Sequence, residues 1–255
     1  MNPVVECRDL WKSYHQRPRL GIKEFLVKRR PAQPSRFARE WALREVTFAV
    51  NRGTAFGIVG HNGTGKCTVL GLLIGTIVPD RGTATVTGRV ASLLDISAGF
   101  HPELTGRENV YLLGSILGMT LREIRQCYDR ILEFSELEDA IDIPIRTYSS
   151  GMITRLGFST IIHAPADVLL IDEVLGVGDA RFQNKCHEFL RAFKARNGTL
   201  VIVSHSLPEL AELCDEGICM ELGKIVRSGP MDEVIGYYRQ RSVDSRPAQA
   251  GSATP

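Results

Sequence analysis

No stretch of this chain is apolar for the roughly 18 residues that a membrane-crossing helix needs. The longest candidate, residues 69–78, is interrupted by Gly71 and Gly75. The N-terminus carries Glu6, Arg8 and Asp9 where a secretory leader would need an apolar core. A cytosolic chain is the expectation. The cysteines form neither a zinc set nor a disulfide framework. Cys7, Cys67, Cys127, Cys186, Cys214 and Cys219 are scattered, and the pair at 214 and 219 has no second pair to complete it. Reduced thiols in a reducing compartment follow from that pattern. Internal repeats are absent too. What remains, 44% hydrophobic and 24% charged residues, is an ordinary globular composition, long enough to bury a substantial core.

Acidic residues are scarce in one segment. Ten Lys and Arg between Lys12 and Arg44 face only Glu24 and Glu40, so the segment carries +8 in a chain of net charge +2. Within it, residues 15–41 read as an insertion containing Pro18, Pro31 and Pro34. A short candidate helix over residues 19–30 places Ile22, Phe25 and Leu26 on one face with a basic flank. Contact with lipid headgroups or an acidic partner surface, and a solvated loop, are both open readings.

The absence with chemical weight is a hydroxyl. Residues 57–70, GIVGHNGTGKCTVL, satisfy the phosphate-loop pattern G-x-x-x-x-G-K-[ST] at Gly60, Gly65 and Lys66, but the next residue is Cys67. An apolar strand, AFGIVG, precedes the loop and a helical pattern follows it. Inward-pointing amides and the helix N-terminus then suit a polyphosphate, and Lys66 suits its β- and γ-phosphates. The loop residues His61, Asn62, Gly63 and Thr64, with Cys67 and Thr68 behind Lys66, complete the candidate nucleotide-binding set. Further on, VLLIDE is an apolar strand ending in Asp172, a candidate for Mg²⁺, and Glu173, a candidate to polarise the attacking water. LVIVSH places His205 at the end of another apolar strand.

Between these, YSSGM runs from Tyr148 to Met152, with Ser149 placed 83 residues after Lys66 and 23 before Asp172. With this fourth motif the chain resembles the ATP-binding-cassette (ABC) family, whose signature is typically L-S-G-G-Q; the resemblance covers about residues 4–229. It implies an α/β P-loop NTPase fold with a RecA-like parallel sheet, an antiparallel β subdomain and a helical signature subdomain. The expected layout is a cassette over 1–240, with the insertion at 15–41 and the helical part at about 104–162, and a disordered tail over 241–255. The resemblance also implies ATP hydrolysis with Mg²⁺ bound through Asp172 and, as a weak ligand, Cys67. Glu173 and His205 would be catalytic and Tyr14 would stack on adenine. Ser149, Ser150 and Gly151 would cap the ATP of a second copy in a head-to-tail dimer, and Asp179 would lie in the loop joining the two sites. The family's Q-loop glutamine has no clear counterpart; Asp95 or Ile96 occupies that region.

The stretches YSSGMITRLGFS, GFHPELTGRENVYLLGSILG and DEVLGVGDARFQNKC look like ATPases of bacterial exporters of O-antigen, capsule or teichoic acid. That likeness implies a separate membrane permease as partner, a polysaccharide handled through it, and a peripheral place on the cytoplasmic face of the inner membrane. No nucleic-acid partner is implied. The chain runs only a short way past the cassette, so no C-terminal carbohydrate-binding domain is expected. Two other readings compete: an ATP-responsive scaffold that barely hydrolyses because of Cys67, and an ABC ATPase acting on nucleic acid.

Overall fold

The computed structural model describes residues 3–15, 39–94, 99–172 and 178–244. β1 (Pro3–His15) pairs antiparallel with β2 (Arg39–Asn51) as far as His15 opposite Arg39. The basic insertion is therefore joined at the end of this hairpin; its candidate helix lies outside the described residues. β4 (Arg81–Val86) adds to the other side of β1, giving a three-stranded antiparallel sheet in the order β2-β1-β4.

The second sheet has six strands in the order β5-β6-β7-β3-β8-β9. β3 (Ala55–Val59), β5 (Val90–Ser92), β6 (Val168–Asp172), β7 (Thr199–Val203) and β8 (Glu216–Glu221) run parallel, and β9 (Lys224–Pro230) returns antiparallel from β8. β3 and β7 are buried along their whole length. This is what the uninterrupted runs AFGIV and TLVIV require of strands covered on both faces.

Helices α1 (Lys66–Ile74), α2 (Gly106–Ile116), α3 (Leu121–Ser135), α4 (Ser150–His163), α5 (Ala180–Ala195), α6 (Leu207–Leu213) and α7 (Met231–Asp244) fill the connections. One core packs α1 and the small sheet on one face of the large sheet, through Val5, Leu43, Leu70 and Ile218. A second lies on the opposite face, where Phe158 of α4 and Phe182 of α5 meet ring to ring at 5.9 Å. A third joins α2, α3 and α4 around Val110, Ile124, Ile131 and Leu156. Truncating a buried ring such as Phe182 costs about 3–5 kcal/mol in comparable cores.

Local sequence sets the helix starts. Thr105 with Glu108, and Thr120 with Glu123, are complete capping boxes at the heads of α2 and α3. Asn109, fully buried, donates to the carbonyls of His101, Leu104 and Thr105 and accepts from the His101 amide, which pins the loop entering α2. The last helix corrects one expectation: α7 continues through residues 241–244, which the sequence assigned to a disordered tail. Its final turn is held where Arg241 forks onto the Glu221 carboxylate at 3.0 and 3.3 Å.

Candidate nucleotide site

β3 stops at Val59 and α1 starts at Lys66, so the loop between them is held by a buried strand on one side and a helix N-terminus on the other. Two of its glycines have no room for a side chain. A Cβ on Gly60 would lie 2.5 Å from the Met220 carbonyl oxygen, and one on Gly65 would lie 2.4 Å from that of Ala42. Gly65 is also left-handed, with φ of 99°, and as the N-cap of α1 it offers no side-chain cap. The first-turn amides are thus presented to an anion rather than to a capping oxygen.

Lys66 is buried, and its ammonium donates to the carbonyls of Gly60 (2.7 Å) and His61 (3.1 Å). The Thr64 hydroxyl donates to the same His61 carbonyl at 2.9 Å. A cleft of about 310 Å³ opens beside the loop, lined by Tyr14, Trp41, Asn62, Lys66, Cys67 and Thr68. Gly63 lies in its wall as well. Tyr14 is 45% exposed, so a ring face is accessible for a base, and the Cys67 thiol is exposed at the head of α1.

The large sheet delivers the remaining groups to the same edge. Asp172 ends β6 opposite Val203 of β7, and Val203 lies opposite Ile58 of β3. Asp172, the loop after β7 and the phosphate loop therefore leave the sheet at one level, the place where parallel α/β sheets bind ligands. His205 follows β7, and its Nε2 lies 2.8 Å from Asn62 Oδ1. The turn carrying His205 is fixed by Ser204, whose hydroxyl donates to Glu209 at 2.7 Å and accepts from the Ser206 amide at 3.0 Å. Glu173, Asp95 and Ile96 lie outside the described residues.

The signature residues are elsewhere on the chain. Ser149 is the N-cap of α4, its hydroxyl accepting from the Met152 amide at 3.2 Å, and Ser150 and Gly151 open the helix. They line a separate cleft of about 700 Å³ together with Glu136, Arg155 and Asp179. The departures from L-S-G-G-Q have structural uses. Tyr148 is buried and donates through its hydroxyl to the Ala140 carbonyl at 2.6 Å, and Met152 packs on the α2–α3–α4 core.

Asp179 caps α5, and the Phe182 amide, followed by the Arg155 guanidinium, holds its carboxyl below the usual carboxylate range. Arg155 reaches Asp179 at 2.5 Å and Glu136 at 3.3 Å, and Lys185 meets Glu136 at 3.0 Å. Sequence reading missed this ionic set, the place of Trp41 in the nucleotide cleft and the Asn62–His205 contact. Trp41 is visible only through the hairpin register, which sets Tyr14 opposite Glu40 and Ser13 opposite Trp41.

A family model described as ABC transporter matches residues 43–176. The chain belongs to the ABC transporter family. The O-antigen export system ATP-binding protein RfbB of Klebsiella pneumoniae is 44% identical over 243 residues, covering 94% of this chain and 99% of that protein. The teichoic acids export ATP-binding protein TagH of Listeria monocytogenes is 42% identical over 198 residues, covering 78% of this chain and 59% of the relative. Solved structures agree on the fold. An ATP-binding subunit of an ABC transporter aligns with TM-score 0.74 at 22% identity over 95% of each chain. A dimeric ATP-binding cassette, MJ0796, bound to ADP and Pi aligns with TM-score 0.71 at 18% identity, covering 89% of this chain and 98% of that one. The ABC cassette expected from the sequence is the fold observed. Neither a nucleic-acid ATPase nor a non-hydrolysing scaffold is favoured by these matches. Among the described residues no helix is long and apolar enough to cross a membrane.

Proposed function

We propose that this ABC protein is the ATP-hydrolysing subunit of an exporter of cell-surface polysaccharide of the O-antigen or teichoic-acid type. It works as a head-to-tail pair beneath a separate membrane permease, on the cytoplasmic face. The observation that carries the reading is the distribution of motifs: phosphate loop, Asp172 and His205 share one sheet edge, while Ser149 and Gly151 open into a different cleft. One chain therefore presents two half-sites, and a second copy turned head to tail completes both. The 44% identity to an O-antigen export ATPase along nearly the whole chain supports the polymer class.

In each composite site Tyr14 and Trp41 hold the base, and the loop of residues 60–65, with Lys66 and Thr68, holds the phosphates. Ser149 and the Gly151 amide of the other copy close over the γ-phosphate. Glu173 orients the attacking water and His205 contacts the γ-phosphate from the opposite side. The donor chemistry fits a Mg²⁺ ion carried by the nucleotide. Asp172 would supply a hard carboxylate oxygen beside those of the phosphates and water, and Cys67 would be a soft neighbour. When bound, such an ion would supply neutralisation of the charge on the phosphates.

The test is ATP turnover by the wild type beside Lys66→Ala and Glu173→Gln. It is joined to surface polysaccharide in a producing bacterium whose own ATPase gene is replaced by each version. Loss of turnover in both variants, with polymer retained inside the cell, is expected. Polymer reaching the surface with Lys66→Ala overturns the proposal.

A further inference from the structure

We infer that α7 is part of the nucleotide site, with Tyr238 acting through His61 as a positioning residue for the phosphate loop. The inference rests on reading residues 60–68 as that loop. His61 is the loop's internal acceptor: its carbonyl receives the Lys66 ammonium, the Thr64 hydroxyl at 2.9 Å and the Thr64 amide at 3.3 Å. Any rotation of residue 61 therefore moves one of the two carbonyls that hold the lysine, the other being that of Gly60 at 2.7 Å.

Its side chain is held from outside the loop. The Tyr238 hydroxyl lies 3.3 Å from His61 Nδ1, and the two rings are 5.1 Å apart at an angle of 43°. On the neighbouring residue, His205 holds Asn62 at 2.8 Å. The loop is thus gripped at 61 by α7 and at 62 by the segment after β7.

The sequence of α7 explains how the grip is aimed. Met231, Val234, Ile235 and Tyr238 recur at helical spacing on one face. The first three are buried against the large sheet, and Tyr238 packs at the edge of the same core. One turn later Arg241 forks onto Glu221 at the end of β8, which holds that carboxyl below its usual range. The helix is fixed at both ends of the contact, so Tyr238 is placed by packing rather than by the loop. Between the loop, the β8–β9 turn and Arg241 lies a cleft of about 420 Å³.

The experiment measures fluorescent ATP-analogue affinity, ATP KM and kcat, and thermal unfolding for Tyr238→Ala, Tyr238→Phe, His61→Ala and the Tyr238→Ala/His61→Ala pair. Tyr238→Ala is expected to weaken nucleotide affinity and raise KM by about fivefold, the scale of one net hydrogen bond, with kcat changed by less than about twofold. Tyr238→Phe keeps the ring contact and recovers part of the loss. In the His61→Ala background Tyr238→Ala should have no further effect on affinity, because the interaction is already gone.

Wild-type affinity in both Tyr238 variants overturns the inference. So does a Tyr238→Ala effect that persists undiminished without His61, because α7 would then act through the fold alone. Lys66→Ala in the same assay separates the two readings. If it binds nucleotide as the wild type does, the phosphate-loop reading falls and this inference with it. If it abolishes binding while the Tyr238 variants are silent, only this inference falls.

Discussion

Replacing Cys67 by serine should lower the Mg²⁺ concentration that half-saturates ATP turnover and leave the maximal rate nearly unchanged. Cys67 is exposed at the head of α1 and lines the nucleotide cleft beside Lys66 and Thr68. Mg²⁺ takes hard oxygen ligands, and a neutral thiol is a soft, larger donor. With cysteine in place, a water would have to take the position of the missing hydroxyl. Holding one ordered water costs between zero and about 2 kcal/mol. At about 1.4 kcal/mol per tenfold, that bounds the shift at about 30-fold, with about fivefold at the middle of the range. The assay is phosphate release at saturating ATP with free Mg²⁺ buffered across its titration range, for the wild type and Cys67→Ser. Superimposable curves would refute the argument about the thiol. A serine variant that turns over while the wild type does not at any Mg²⁺ concentration would mean that Cys67 blocks catalysis, which is the scaffold reading.

The same thiol should be the single fast target of a maleimide in the native protein at pH 7.5, and ATP should protect it. Burial pushes Cys7, Cys186 and Cys214 up to about 12 and Cys219 to about 11, and raises Cys127 as well. Intact-mass measurement showing several rapid additions, or equal labelling of Cys67→Ser, contradicts this. Acid stability should depend on Glu123, whose carboxyl is pulled down to about 2 by its hydrogen bond with Arg89 and then by the amide and hydroxyl of Thr120. A carboxyl lowered in the folded state stabilises above its unfolded pKa of about 4.3, and that contribution is lost as pH falls towards about 2. Thermal melts of Glu123→Gln should therefore show a flatter pH dependence across that window than the wild type, and parallel curves would count against it.

The strands and the phosphate loop were legible because each is written locally. AFGIV and TLVIV are too apolar to face water, and the Gly60 and Gly65 spacing fits one loop geometry. What was not legible depends on register or long-range packing. Trp41 enters the cleft because the β1–β2 pairing carries it across from Ser13, over a separation that hides the relation in the sequence. Arg155 and Lys185 come from two helices and Glu136 and Asp179 from two helix caps, and no spacing announces the set. Residues 241–244 read as the start of a polar tail because their helical anchor, Glu221, lies on a distant strand. The contact of Tyr238 was hidden for the same reason; its partner His61 is 177 residues away.

Because phosphate loop and signature helix of one chain open into separate clefts, defects in them would sort genetically in an unusual way. In the proposed head-to-tail pair, with Lys66→Ala in one copy and Ser149→Arg in the other, both lesions would fall in the same composite site and the second site would be whole. Place both substitutions in one copy and each of the two sites inherits a fault, although the partner is wild type. Within a mixed pair of defined composition, two singly defective copies would then keep one working site, whereas a doubly defective copy beside a normal one would keep none. That ordering is the reverse of what a monomeric enzyme gives.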